Sequence, residues 1–297
     1  MTKNLFRLST ASLELVLAAA LWGFGFVATI WGLVAWAPVP LLFWRFVIGT
    51  IAGVLIAAVF ARPSRKELLW QLRASFLPAL FLAVMILLQT WGMLYTTATK
   101  SGFITILYIV LVPLLETVVA RKRIPIQLWL CIAISLVGVY LIVDPSWDEN
   151  FNIGDFLTLL CAFGAALQII TVDRVSGRVE NAFVFNVFQS AWAALMLLPA
   201  IPFQPGHLLV SSPPISAWVG LLSLALGSTL IAFYLQVRAQ KVLSSTVSSL
   251  FFLLESPFAL LFAYLFLNER LGAQQGVGAV LIMISAFMAT LPGKIKN

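Results

Sequence analysis

Charge is what this chain has least of. Only 10% of its 297 residues are Asp, Glu, Lys or Arg, against 62% hydrophobic residues and a mean hydropathy of +1.04. Soluble domains run at roughly 25% charged and 45–50% apolar. So few polar groups cannot cover a globular surface, which excludes an ordinary soluble domain and makes lipid the expected solvent. Histidine occurs once, at His207, in a Pro/Gly-rich loop where it reads as solvated. The two cysteines, Cys131 and Cys161, sit inside apolar runs and read as small core residues, not as a disulfide framework or a zinc site. Walker loops, metal-ligand clusters and nucleophile–base pairs are missing, so no metal, no cofactor and no enzymatic activity is expected. The basic excess, +7 with a pI near 9.7, does not point to nucleic acid, because the longest basic cluster is Arg121-Lys122-Arg123.

Long apolar runs are what is present. They extend approximately from Leu13 to Val34, Pro38 to Phe60, Ala74 to Tyr95, Ser101 to Ala120, Ile126 to Val143, Asp155 to Val172, Ala182 to Phe203, Ile215 to Val237, Ser244 to Leu267 and Gly272 to Leu291. Each is close to the ~20 residues that cross a hydrocarbon core. None shows the alternation of a barrel strand, so helices, which satisfy their own backbone, are required. The expected fold is an all-α integral membrane protein of ten transmembrane helices, with no soluble domain in the short breaks. Lys3 and Arg7 ahead of an apolar run resemble a secretory leader, but the run continues through Trp22 and Phe26 and is read as a span.

Lysine and arginine orient the spans. One side, shared by both termini, collects Lys3, Arg7, Arg62, Arg65, Lys66, Arg73, Arg121, Lys122, Arg123, Arg174, Arg178, Arg238, Lys241, Lys294 and Lys296, whereas the other has only Lys100 and Arg270. Both termini are therefore expected in the cytoplasm, with the protein in the cytoplasmic (inner) membrane and the lipid bilayer as its constant partner. The loop carrying Asp144, Asp148, Glu149 and Asp155 is expected outside.

Shifting the chain on itself by about 141 to 147 residues aligns Trp22-Gly23 with Phe163-Gly164, Arg45 with Gln189, Pro113 with Pro257 and Arg123-Ile124 with Arg270-Leu271. Two five-helix repeats, 1–148 and 149–297, together forming one membrane domain, are predicted. An odd number of spans per repeat inverts the second against the first, as in secondary transporters that alternate access to a midplane site.

Gln89-Thr90-Trp91-Gly92 through Tyr95-Thr96-Thr97-Ala98, then Gly102-Phe103-Ile104-Thr105, Leu107-Tyr108 and Leu111-Val112-Pro113, resembles the first-half signature of the EamA branch of the drug/metabolite transporter superfamily. Leu254-Glu255-Ser256-Pro257 followed by Asn268-Glu269-Arg270-Leu271 is similar to the second-half motif, although Ser256 separates a glutamate and proline often adjacent there. The resemblance covers the whole chain. It implies a transporter of amino acids, metabolites or drug-like cations, and export of a small-molecule substrate is the direction expected. Lipid-like or nucleotide-linked substrates, and a non-transporting receptor or scaffold, are the alternative readings.

Ionisable groups inside spans are costly and persist where they have a partner or a cavity. Glu255, mid-way along the ninth span, either exchanges a proton as access alternates or hydrogen-bonds to a neighbouring helix. Arg45 either binds a carboxylate or phosphate bidentately, or snorkels to headgroups and bonds helix carbonyls. Glu116 shares a face with Thr105, Tyr108 and Val112, yet its spacing to Arg121 favours an ion pair at the interface. For substrate contact the candidates are Trp22, Phe26, Trp91, Tyr95, Tyr108, Phe163, Tyr234 and Phe252 as paving, with Gln89, Gln168 and Gln189 fixing polar ends and Thr105 and Ser248 as further lining. Pro113 and Pro257, at matched repeat positions, each remove a helix hydrogen bond and are candidate hinges. Gly49-x-x-x-Gly53 and Gly272-x-x-x-Gly276 fit close helix packing, within the chain or in a homodimer.

The orientation is directly testable. Green fluorescent protein fused after Asn297 should fluoresce and alkaline phosphatase fused there should stay inactive, whereas phosphatase inserted after Asp144 should be active; the opposite pattern would overturn the charge assignment.

Overall fold

The computed structural model describes residues 2–61, 63–92, 95, 104–118, 121, 123–143, 151–203, 208–267 and 272–289, with backbone alone at 2–7 and 143. Among these residues every regular element is helical. The helices are α1 (Thr2–Leu33), α2 (Pro38–Phe60), α3 (Arg65–Ala74), α4 (Phe76–Gly92), α5 (Tyr108–Val118), α6 (Ile126–Val143), α7 (Ile153–Ser176), α8 (Ala182–Leu197), α9 (Ile215–Leu222), α10 (Ala232–Ala239), α11 (Ser245–Phe252), α12 (Glu255–Leu267) and α13 (Ala273–Met288). A π-helical segment, Ser223–Ile231, joins α9 to α10.

Among the described residues seven stretches are long and apolar enough to cross a membrane: Leu8–Leu33, Pro38–Phe60, Arg65–Gly92, Ile153–Ser176, Ala182–Phe203, Ile215–Ala239 and Ser245–Leu267. Three shorter apolar helices, Tyr108–Val118, Ile126–Ile142 and Ala273–Met288, fall within the other predicted runs. Lys100, Lys122, Asp144, Asp148, Glu149, His207 and the Asn268-Glu269-Arg270-Leu271 motif lie outside the described residues.

Local chemistry explains the boundaries. α2 begins on Pro38, whose missing N–H costs nothing in a first turn. Ser64 caps α3 by accepting from the Glu67 amide at 3.2 Å, which carries helix back to Arg65, nine residues before the predicted start at Ala74. Asn152 and Asp155 form a reciprocal capping box at the start of α7, with bonds of 2.8 and 3.1 Å. Asn181 accepts from the Phe183 and Val184 amides to start α8.

The most extensive packing pairs α4 with α7, α6 with α13 and α2 with α8. α1 lies against α9, α10 and α12, and α7 also touches α5. α7 is the most buried of the long stretches, while large apolar side chains such as Leu55, Val59, Val137 and Phe287 face outward. That inside-out distribution is the one a hydrocarbon solvent permits.

Glycine sets two of these approaches. A Cβ on Gly53 would meet the Val187 side chain at 2.5 Å, and one on Gly49 would meet the Ala225 carbonyl at 3.0 Å, so this pair packs inside the chain on α8 and the π segment. Gly276 has nothing within 4 Å and Gly272 touches only Gln275, so this second pair makes no close helix contact among the described residues. The close approach of α13 uses Gly278 instead. A Cβ on Gly138 would lie 2.7 Å from the Gly278 carbonyl, and the converse clash is as severe. Beside them Ser135 donates to Ser285 at 2.7 Å, which donates to the Cys131 carbonyl at 2.7 Å. Gly278→Val should lower the unfolding midpoint of the purified protein, by about 1–3 kcal/mol of overpacking, whereas Gly276→Val should leave it unchanged; equal effects would refute the close approach.

Candidate functional site

Two irregular helix segments each fall within a long apolar stretch, and Trp22 of α1 touches both. The first is the π segment. Amides there reach back five residues, as the Ala232 N–H does to the Gly227 carbonyl. Side chains from three other helices complete its bonding. Trp22 of α1 donates its indole N–H to the Ser228 carbonyl at 3.1 Å, and Ser228 Oγ returns a bond to the Leu21 carbonyl at 3.0 Å. Asn186 of α8 donates to the Thr229 and Leu230 carbonyls at 3.1 and 2.9 Å. Arg45 of α2 donates from Nε to Thr229 Oγ1 at 2.6 Å.

The second is the break at Leu253–Leu254 between α11 and α12. Pro257 has no N–H to return to the Leu253 carbonyl. Ser256 takes that carbonyl in a tighter turn at 3.1 Å, and Phe258 then bonds to Leu254 at 3.1 Å. Glu255 stands at the restart. It lies within electrostatic range of Arg45, Tyr108 and Cys161. No ion pair within 4.0 Å joins it to Arg45, and among the described residues its carboxyl has no direct hydrogen-bond partner. Both side chains are half-buried. A charge at this depth persists where it has a partner or a cavity.

Around this pair the structure gathers several of the predicted residues. Trp22 packs its ring against Phe233 and Phe252, each at 5.1 Å between centroids. Gln89 donates to Thr105 Oγ1 at 3.2 Å, and Thr105 lies beside the Cys161 thiol. Tyr108 is buried at the start of α5. Ser248 Oγ is buried and makes no hydrogen bond. Pro113 is buried within α5, beyond the turn at Ile106–Leu107.

Other predicted residues stand elsewhere. Phe26 is one turn along α1 on the same face as Trp22 and is 46% exposed; Tyr95 is 60% and Phe163 40% exposed. Gln168 belongs to a buried amide chain in which Gln236 donates to it at 3.0 Å and to Gln240 at 3.1 Å, while Gln240 donates to the Ile169 carbonyl at 3.0 Å. Tyr234 lies toward the end that carries Arg238, stacked edge-on against Phe183 at 5.6 Å. Glu116 is buried, accepting from Thr246 Oγ1 at 3.0 Å, so it is an interior link from α5 to α11 and not an interfacial residue paired along its own helix with the exposed Arg121.

Asn186, Ser228, Thr229 and Thr246 are absent from the sequence-derived candidates. All four are polar side chains inside apolar runs, a signal of the same kind as Glu255. Asn186→Leu removes two donors from buried carbonyls and should destabilise the purified protein by about 1–3 kcal/mol, read from its thermal or detergent unfolding; an unchanged midpoint would mean those carbonyls are satisfied without it.

Known proteins resemble this chain in sequence and in fold. The model of the EamA-like transporter family matches residues 10–144 and 152–291. An uncharacterized transporter of Archaeoglobus fulgidus is 29% identical over 281 residues, covering 95% of this chain and 86% of that protein. The uncharacterized transporter YetK of Bacillus subtilis is 23% identical over 259 residues, covering 84% of this chain and 77% of its own. A crystal structure superposes with a TM-score of 0.77 at 21% identity, over 95% of this chain and 99% of that one, which is a likeness of fold.

Proposed function

Because the chain belongs to the EamA-like transporter family of the drug/metabolite transporter superfamily, we propose that this multi-pass membrane protein is a secondary transporter exporting small metabolites that carry both a carboxylate and an ammonium group. The observation that carries this is the half-buried pair Arg45 and Glu255, of opposite charge, close enough to feel each other and not bonded to each other. A zwitterion placed between them would give its carboxylate to the guanidinium and its ammonium to the carboxylate. Arg45 is already held by Thr229 and Phe46 lies 5.8 Å from it, so the guanidinium keeps one orientation. Trp22 and Phe252 supply an apolar side for the rest of the substrate, and Gln89 with Thr105 a polar one.

Alternating access fits the architecture. We read it as ten spans in two inverted five-span repeats, with both termini in the cytoplasm. Numbering spans in chain order, the exchange of each with the one five places on turns the contact of α4 with α7 into that of α1 with the α9–α10 stretch. The same exchange turns the contact of α5 with α7 into that of α1 with α12. It maps the α2–α8 and α6–α13 contacts onto themselves. Contacts that persist under this exchange are what a duplicated, inverted unit produces, and the family match in two stretches supports the same reading.

Proteoliposomes loaded with a panel of labelled amino acids test the proposal. Arg45→Gln and Glu255→Gln should each weaken transport about tenfold or more, the loss expected for one charged hydrogen bond. Decarboxylated or N-acetylated analogues should fail to compete. Equal competition by those analogues would remove the zwitterion assignment. Coupling is read separately: if Glu255→Gln transports at the wild-type rate and an imposed pH gradient changes nothing, Glu255 carries no proton.

A further inference from the structure

A groove of about 500 Å³ opens at the end of the molecule where α2, the α7–α8 turn and α10 finish, well away from Arg45 and Glu255. Its two sides differ in chemistry. One side is Ile56 and Phe60 on the last turns of α2; Phe60 is 84% exposed, and the neighbouring Leu55 and Val59 are exposed as well. This wall is continuous with the apolar outer face of α2. The other side presents Arg238 and Lys241, with the Tyr234 and Phe183 rings between.

The two cations are fixed but not used up. Arg238 donates to Tyr234 Oη at 3.0 Å and is ion-paired to Glu14 of α1, which occupies two of the five donors of a guanidinium. Lys241 Nζ donates to the Glu180 carbonyl at 3.3 Å, one of its three donors. Burial, and after it the adjacent Arg238, holds the Lys241 ammonium below the usual lysine range, with Glu180 acting in the opposite sense. The Glu180 side chain also lines the groove, and its carboxylate lies near Glu67 of α3. What the groove offers is therefore two neighbouring cations, each beside one carboxylate and each with donors to spare, next to an apolar strip.

We propose that this groove binds an anionic phospholipid from the cytoplasmic leaflet, its phosphate between Lys241 and Arg238 and its acyl chain along Ile56 and Phe60. The end concerned holds the turns that the lysine and arginine bias assigns to the cytoplasm, and basic pockets between membrane helices on that side attract anionic headgroups. Its volume falls in the range of small-molecule sites, about 300–1,000 Å³, ample for a headgroup and glycerol and far more than inorganic phosphate would fill. An open apolar wall is unsuited to a soluble anion and suited to a chain that arrives with its own hydrocarbon.

The full-length protein in neutral detergent, with phosphatidylglycerol, phosphatidylcholine or inorganic phosphate added in turn, decides this. Phosphatidylglycerol should raise the unfolding midpoint by about 3 °C or more over phosphatidylcholine and stay attached in native mass spectrometry. Lys241→Gln, which removes a cation, and Ala57→Trp, which fills the groove without changing charge, should each abolish most of that difference. Arg123→Gln, in another basic turn, should retain it. Equal shifts with the two lipids would overturn the proposal. So would a shift reproduced by inorganic phosphate, or a full phosphatidylglycerol effect in either folded groove variant. Because none of these readouts involves transport, they stand or fall separately from the zwitterion reading.

Discussion

A hydrocarbon solvent offers no hydrogen bonds, so every backbone carbonyl that leaves the α-helical pattern has to be met by the protein itself. The π segment Ser223–Ile231 is where that requirement organises the chain. Its carbonyls are met by Trp22 from α1 and Asn186 from α8, and its Thr229 hydroxyl by Arg45 from α2. Three helices are thereby pinned to one. The same bonds fix the side chains on which the candidate site depends: the Trp22 ring is aimed at Phe233 and Phe252 because its N–H is already committed, and Arg45 is oriented because its Nε is. The irregular backbone is tolerated because it lies against protein, and it in turn positions the chemistry.

The break in the α11–α12 stretch works differently. Pro257 denies a donor to the Leu253 carbonyl, the turn tightens, and Glu255 starts a new helix at the point of interruption. One half of the site is thus a charge held by side-chain bonds, and the other a charge set by a backbone interruption. On the zwitterion reading proposed above, these opposite charges, near each other and not ion-paired, would receive the two ends of one substrate.

Much of this could be read from the residues alone. Apolar run length gave helices, and the positions of lysine and arginine separated the two ends; the structure brings the finish of α2, the turn at Glu180 and the finish of α10 together at one groove, as that separation requires. Glu255 and Arg45 were conspicuous because a charge in an apolar run is rare. The π geometry was not legible, since nine residues of Ser, Leu, Ala, Gly, Thr and Ile are equally able to continue an α-helix, and what selects the wider turn lies on α1, α2 and α8. Glu116 misled because spacing along one helix says nothing about Thr246, 130 positions away. Gly272-x-x-x-Gly276 makes no close helix contact within the chain among the described residues, since a small-residue spacing describes one surface while contact needs two. The aromatic candidates divided according to what their neighbours offered, Trp22 inward and Tyr234 to the basic end.

Gly138 and Gly278 meet face to face, one from each half of the chain, and neither tolerates a Cβ while the other helix stays where it is. If the two halves descend from one ancestral unit, each once had to fit a copy of itself, and the present contact is a remnant of that self-recognition. Mutational drift at either site is then restrained by a partner encoded some 140 residues away. A side chain added to either glycine would have to be matched by a change on the other helix.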